Sequence, residues 1–304
     1  MKLIDPRVDI AFKKIFGVEE NKDLLISLIN SIVSPEDHVK EVTLLNPYNP
    51  QNFKQEKLSI LDIKATGEDG KRFNIEIQIS DEADYDKRAL YYWAKLYTEQ
   101  LKVAEDYSSL SKAIGIHILN FTSIPETPAY HNVFHVTEKE TGLLYFKDLE
   151  LHTIELKKFA GDGTKTLEDL ISKAKNSLDM WSTFLTRHDL LNKDKLPLQM
   201  SDPALKKALG VLEVMNFRED ERMAYEDHLK WLMVEANTLR KYEAKGFSEG
   251  KAEGKAEGKA EGLAEGIEKE KKEITRNMFS KGLTADTIAS VTGLSIEEIQ
   301  KLKS

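Results

Sequence analysis

The chain has 304 residues, 40% of them hydrophobic and 32% charged, with a formal net charge of −8 and no cysteine. This profile fits one sizeable core with a smaller appended region. It excludes disulfides, thiolate metal sites and a catalytic thiol, and it argues against a wholly basic nucleic-acid coat while leaving a local basic groove open. No run approaches ~18 uncharged apolar residues, and the opening MKLIDPRVDIAFKKIF has no uninterrupted apolar segment of the signal-peptide kind. The expected location is therefore cytoplasmic, away from any membrane.

Four textures follow one another: a mixed region over 1–158, helices only over 159–245, a glycine-spaced repeat over 246–279, and a short helical pair over 280–304. Ile10, Phe12, Ile15 and Phe16, followed by Leu24, Leu25, Leu28, Ile29 and Ile32, recur at helical spacing. They predict one or two helices over roughly 8–33, with Asp5 or Asp9 favouring the N-terminal end. Pro47 and Pro50 mark a loop. LSILDIKA (58–65) and KRFNIEIQIS (71–80) alternate with period two around the turn TGEDG (66–70), which predicts a hairpin. DYDKRALYYWAKLYTEQLKVAEDY (84–107) reads as a long helix. AIGIHILNF (113–121) is apolar on both faces, as a central strand is, and HNVFHVTE (131–138) and LELHTIEL (149–156) read as two more strands. The order predicts an α/β fold, a mixed sheet flanked by helices and followed by an all-helical C-terminal region.

The hairpin carries the chemistry. Leu61, Ile63 and Ala65 share one side of the first strand, and Phe73, Ile75, Ile77 and Ile79 one side of the second. The opposite face holds Asp62 and Lys64, then Asn74, Glu76, Gln78 and Ser80. Centring the turn near Asp69 sets Asp62 opposite Glu76, where side chains have Cβ atoms ~4.5–5.5 Å apart and like charges repel. A hard divalent cation reverses that repulsion, and Mg²⁺ takes one or two carboxylates plus waters and phosphate oxygens. A merely solvated polar face is also common on antiparallel hairpins, and alternation by itself does not separate the two readings.

DPRVDIAFKKIFG (5–17), LSILDIKATGEDGKRFNIEIQ (58–78), KRALYYWAKLYTEQL (87–101) and AIGIHILNF (113–121) together resemble the Rpn family, the recombination-promoting nucleases also described as PD-(D/E)XK nuclease family transposases. The glycine repeat and the terminal helical pair are similar to members of that family as well. The resemblance implies a restriction-endonuclease-like core that cuts DNA with Mg²⁺, or with Mn²⁺. It implies that Asp62 and Glu76 are the two acidic motif residues and that the metal also takes the carbonyl of Ile77. Gln78 occupies the place of the motif lysine, a departure that leaves the positive charge unassigned. Lys64, two residues after Asp62 and so on the same face, is the candidate to supply it, and Asp9 a candidate further acid. A nuclease-fold protein that binds DNA or a partner without cutting is the rival reading, and Gln78 is its support.

Other signals carry less. His131 and His135 fall on a predicted strand, ~13 Å apart, too far to share a metal. There is no nucleotide-type phosphate loop and no nucleophile elbow, so no nucleotide cofactor is expected. Tyr91, Tyr92, Trp93 and Tyr97 read mainly as core residues of their helix. Lys87, Arg88, Lys95 and Lys102 beside them read either as phosphate contacts or as a solvated face. In the tail, Gly246, Gly250, Gly254, Gly258, Gly262 and Gly266 recur every fourth residue. Each costs a helix ~0.8–1 kcal/mol against alanine, yet the stripe allows close approach by another helix. A linker and a helical homodimer contact both remain open. SKGLTADTIASVTGLSIEEIQKLK (280–303) reads as helix, turn at Gly293, and a second helix capped by Ser295. Glu297 and Glu298 at its start favour an interaction module over a reader of DNA.

Overall fold

The computed structural model describes residues 4–48, 62–81, 84–161, 166–213, 215 and 217–302. Two helices open the chain, α1 (Asp9–Phe16) and α2 (Lys22–Ile32), and the apolar positions that predicted them are buried. A short strand that sequence periodicity missed, β1 (Val42–Leu44), comes next; three residues give too little alternation to read. The hairpin forms as β2 (Ile63–Gly67) and β3 (Arg72–Gln78); the predicted strand residues 58–61 lie outside the described residues. Then come α3 (Tyr85–Thr98), β4 (Ala113–Leu119), β5 (His131–Thr137) and β6 (Leu144–Glu155).

Two boundaries move. The helix expected over 84–107 stops at Thr98, and the chain then passes through Ala104 at φ +71°, a left-handed conformation that no α-helix accommodates. The strand expected over 149–156 begins five residues earlier, at Leu144, because it extends into a hairpin with β5.

The strands form one mixed sheet in the order β1-β2-β3-β4-β6-β5. Antiparallel pairs lie at both ends, and β3-β4 and β4-β6 pair in parallel at the centre. β4 is buried along its whole length, as its two-sided apolar sequence requires. The helices α4 (Leu156–Ala160), α5 (Leu167–Lys173), α6 (Ser177–Arg187) and α7 (Pro203–Glu213) follow. Trp181, Phe184, Leu205 and Leu209 from this helical segment join Phe12, Phe16, Phe73, Ile75, Ile114 and Ile116 in a single core, so residues either side of 158 share one interior. The polar side of the hairpin lies on the other face of the sheet, where α3 contributes Tyr85 and Ala89 to a small cluster with Leu119 and Phe121.

The chain divides into compact units at Leu232/Met233. The last long element, α8 (Glu219–Ser280), is one uninterrupted helix that includes the glycine repeat. A Cβ added at any glycine from Gly246 to Gly266 would meet nothing within 4 Å. Within the second unit, α9 (Ala285–Thr292) ends at Gly293 in a left-handed conformation, and α10 (Ile296–Lys301) begins with a capping box in which Ser295 accepts from the Glu298 amide. Ile288 and Ile299 are both fully buried in this unit.

Candidate active site

The register of the hairpin determines what faces what. Ile63 pairs with Ile75 and Lys64 with Asn74. One step further along the same register sets Asp62 opposite Glu76. The alternative register is closed, because Ile63, Ala65, Phe73, Ile75 and Ile77 are all buried, and a one-residue slip would turn every one of them outward. Asp62 precedes the ladder, and Asn46 holds its backbone. The Asn46 side-chain amide donates to the Asp62 carbonyl at 2.9 Å, and its oxygen accepts from the Lys64 amide at 2.7 Å. Asn46 was missed from the sequence, since it reads only as a loop residue before Pro47.

Burial pushes the Asp62 carboxyl above its usual range; Lys64 and Lys13 pull it back, and Glu99 pushes it up again. Lys13, on α1, is itself nearly buried. It also escaped the sequence reading, although it stands one helical turn from Asp9 and so shares its face. Lys64 reaches Glu99 at 3.9 Å. Asp9 lies 4.0 Å from His228 of α8.

Across the hairpin, Glu76 and Gln78 share a cation. Arg88, from the first turns of α3, donates to Gln78 Oε1 at 2.8 Å and reaches Glu76 Oε1 at 3.4 Å. Its guanidinium also sits 5.2 Å from the centre of the Tyr85 ring. Glu76 is in register with His117 of β4, and their side chains approach to 3.9 Å. His117 Nδ1 is 2.7 Å from the Tyr85 hydroxyl. Burial, reinforced by Arg88 and His152, pushes the His117 imidazole down to about 4, so it is neutral near pH 7. Its Nε2 and the Oδ1 of buried Asn74 have no hydrogen-bond partner among the described residues. Gly115 makes room for this ring: a Cβ there would stand 3.1 Å from His117 Nε2 and 2.7 Å from Leu151 Cδ2.

Asp62, Lys64, Glu76 and Gln78 are thus brought to one face, while the Ile77 side chain points into the core. Tyr85 of α3 is buried, but of Tyr91, Tyr92, Trp93 and Tyr97 none is. Tyr91 is 64% exposed, whereas Trp93 stacks on Tyr97 and donates to the Ala113 carbonyl at 2.7 Å. Of the basic residues on α3, Lys87 pairs with Asp84, and Lys95 with Glu99 at 3.6 Å.

His131 and His135 lie on β5 as expected, but each meets β6. His131 is 3.0 Å from His152, which bonds Glu150 at 2.7 Å, and His135 is 3.7 Å from Glu150. Lys112 joins Glu150 at 2.8 Å and Asp37 at 2.6 Å; against the burial that would raise it, His152 and Lys112 hold the Glu150 carboxyl down to about 2.

Among the described residues no group of three or more histidines or acids is arranged to hold a metal ion. Two carboxylates facing each other across a hairpin are nevertheless the number Mg²⁺ takes when water and phosphate oxygens complete its shell. A carboxylate whose charge is disfavoured by burial, as in Asp62, is one that a bound cation would stabilise. The donor set therefore fits a hard divalent cation.

Comparison with known families places most of the chain. A family model described as PD-(D/E)XK nuclease family transposase matches residues 6–242. A second, described as Rpn/YhgA-like nuclease family, C-terminal HTH domain, matches residues 268–304. No curated protein and no solved structure matches the chain.

Proposed function

The chain belongs to the PD-(D/E)XK nuclease family transposases, and we propose that it is a cytoplasmic, Mg²⁺-dependent DNA endonuclease that hydrolyses phosphodiester bonds in DNA recombination or mobility. The observation that carries this reading is the register that opposes Asp62 to Glu76, with a guanidinium on Gln78 beside them. Asp62, Glu76 and the Ile77 carbonyl would hold Mg²⁺ or Mn²⁺. Bound there, such an ion polarises the phosphodiester and lowers the pKa of a coordinated water. Gln78 orients the attacking water through its side-chain amide. Arg88 beside Gln78, with Lys64 and Lys13 acting on Asp62, neutralises charge that develops on the phosphate. Asp9 contributes a further carboxylate at the α1 edge. The C-terminal helical region serves self-association through its glycine stripe.

A second reading has its own support. Arg88 on Glu76 competes with a cation for that carboxylate, and Gln78 carries no charge; both favour a catalytically weak nuclease-fold protein that binds DNA or a partner and oligomerises through its tail. Incubating the purified full chain with supercoiled plasmid in Mg²⁺, Mn²⁺ or EDTA separates the two. Nicked or linear product that appears only with the ions supports the nuclease. Tight DNA binding without any ion-dependent product supports the binding protein.

A further inference from the structure

The arm formed by β5 and the first half of β6 is unlike the rest of the sheet. From Val133 to Asp148 every residue is exposed, yet Val133, Phe134, Val136, Leu144, Tyr145 and Phe146 are all large and apolar. Phe134 is 42%, Phe146 56% and Tyr145 73% exposed, so these three rings alone present roughly 300–400 Å². Their aliphatic neighbours Val133, Val136 and Leu144 add to this, so the arm exposes apolar surface on both of its faces. β5 is also the terminal strand of the sheet. A terminal strand offers a row of unpaired backbone groups, normally guarded by lysine, proline or a bulge. β5 contains no Lys, Arg, Asp, Glu or Pro; the register shifts between Phe134 and Thr137 are its one irregularity.

We propose that this arm is a self-association surface whose occupant is the same arm of a second copy, β5 pairing antiparallel with β5 about a two-fold axis. Charge argues for the occupant. Between 131 and 148 the formal charges are Lys139 and Lys147 against Glu138, Glu140 and Asp148, so nothing there attracts phosphates or anionic headgroups. An antiparallel strand edge is its own complement under a two-fold axis. Edge pairing joins the backbone hydrogen bonds of a seven-residue strand to the apolar side chains that flank it. The arm is a different stretch of sequence from the glycine stripe, and its pairing does not depend on nuclease activity.

Sedimentation of the full chain tests the proposal. At micromolar concentration the wild type runs at a multiple of 34.6 kDa, and Val136→Lys, at an exposed position, lowers that mass or weakens the association at least ~100-fold, because a two-fold interface counts the change twice. A wild type that stays at the single-chain mass up to ~100 µM, or a Val136→Lys protein whose association is unchanged in both mass and strength, overturns it. Because the chain has no cysteine, Phe134→Cys gives a second readout should Val136→Lys misfold. Mild oxidation links Phe134→Cys into a covalent dimer and leaves Ser108→Cys single; equal crosslinking of both, or none in either, contradicts the arm-to-arm contact.

Discussion

Arg88 Nη2 lies 2.8 Å from Gln78 Oε1 and 3.4 Å from Glu76 Oε1. One guanidinium thus bridges the two polar side chains that follow each other along β3, where the related motif carries a lysine. Under the nuclease reading, the charge missing from position 78 would come from this arginine on the adjacent helix. Under the nuclease reading, Arg88→Ala lowers single-turnover cleavage by about 10²-fold, the usual loss for one preorganised donor. Arg88→Lys recovers part of it, because an ammonium keeps the charge but not the fork. Lys64→Ala loses less, since Lys64 also leans toward Glu99. Quenched-flow assays on the three variants give the ranking.

Asp62 is held where burial disfavours its charge. A carboxyl whose folded pKa is raised weakens the fold as pH rises through its unfolded value toward the folded one and above. In chelator at pH 7, Asp62→Asn is therefore at least as heat-stable as the wild type. Added Mg²⁺ raises the melting temperature of the wild type and leaves that of the variant unmoved. Scanning fluorimetry with and without the ion reads both effects.

His117 is pushed down to about 4 by burial, with Arg88 and His152 adding to it. Since the folded state binds this proton less readily than the unfolded chain, the stability it confers is complete above ~pH 6.5 and is lost as pH falls toward 4. The loss attributable to His117 is at most about 3 kcal/mol. Urea titrations in EDTA show a falling midpoint over that window, and His117→Gln flattens the fall.

Gly115 has no room for a side chain, its Cβ position lying 2.7 Å from Leu151 Cδ2. Gly115→Ala costs about 1–3 kcal/mol through overpacking and displaces the His117 ring. Chemical denaturation gives the first value, and the pH profile of stability reports the second.

In the tail, by contrast, a methyl group at Gly254 or Gly258 meets nothing. Gly254→Ala with Gly258→Ala strengthens α8 by ~0.8–1 kcal/mol per site. Circular dichroism shows more helix and protease cuts the repeat more slowly; if the stripe joins copies of α8, the same change weakens that association.

The sheet was legible because its strands obey a simple rule. Ile63, Ala65, Phe73, Ile75 and Ile77 alternate with polar residues, and only one register buries them all. The opposition of Asp62 and Glu76 followed from the same alternation. Residues brought in from other elements left no such trace. Arg88 read as one of several basic residues on a helix, while Lys13, Asn46 and His117 were not singled out at all. Their contacts with the hairpin are tertiary, and spacing along the chain does not encode them. The glycine repeat left helix and linker both open, since propensity alone makes a helix there marginal; the chain carries it within one continuous helix from Glu219 to Ser280.

The most direct test of the central claim is plasmid cleavage by purified Asp62→Asn beside the wild type, in Mg²⁺, with both proteins shown to be folded and to bind DNA equally. The account predicts nicked or linear product from the wild type alone, abolished by EDTA. Cleavage by Asp62→Asn at the wild-type rate would contradict it.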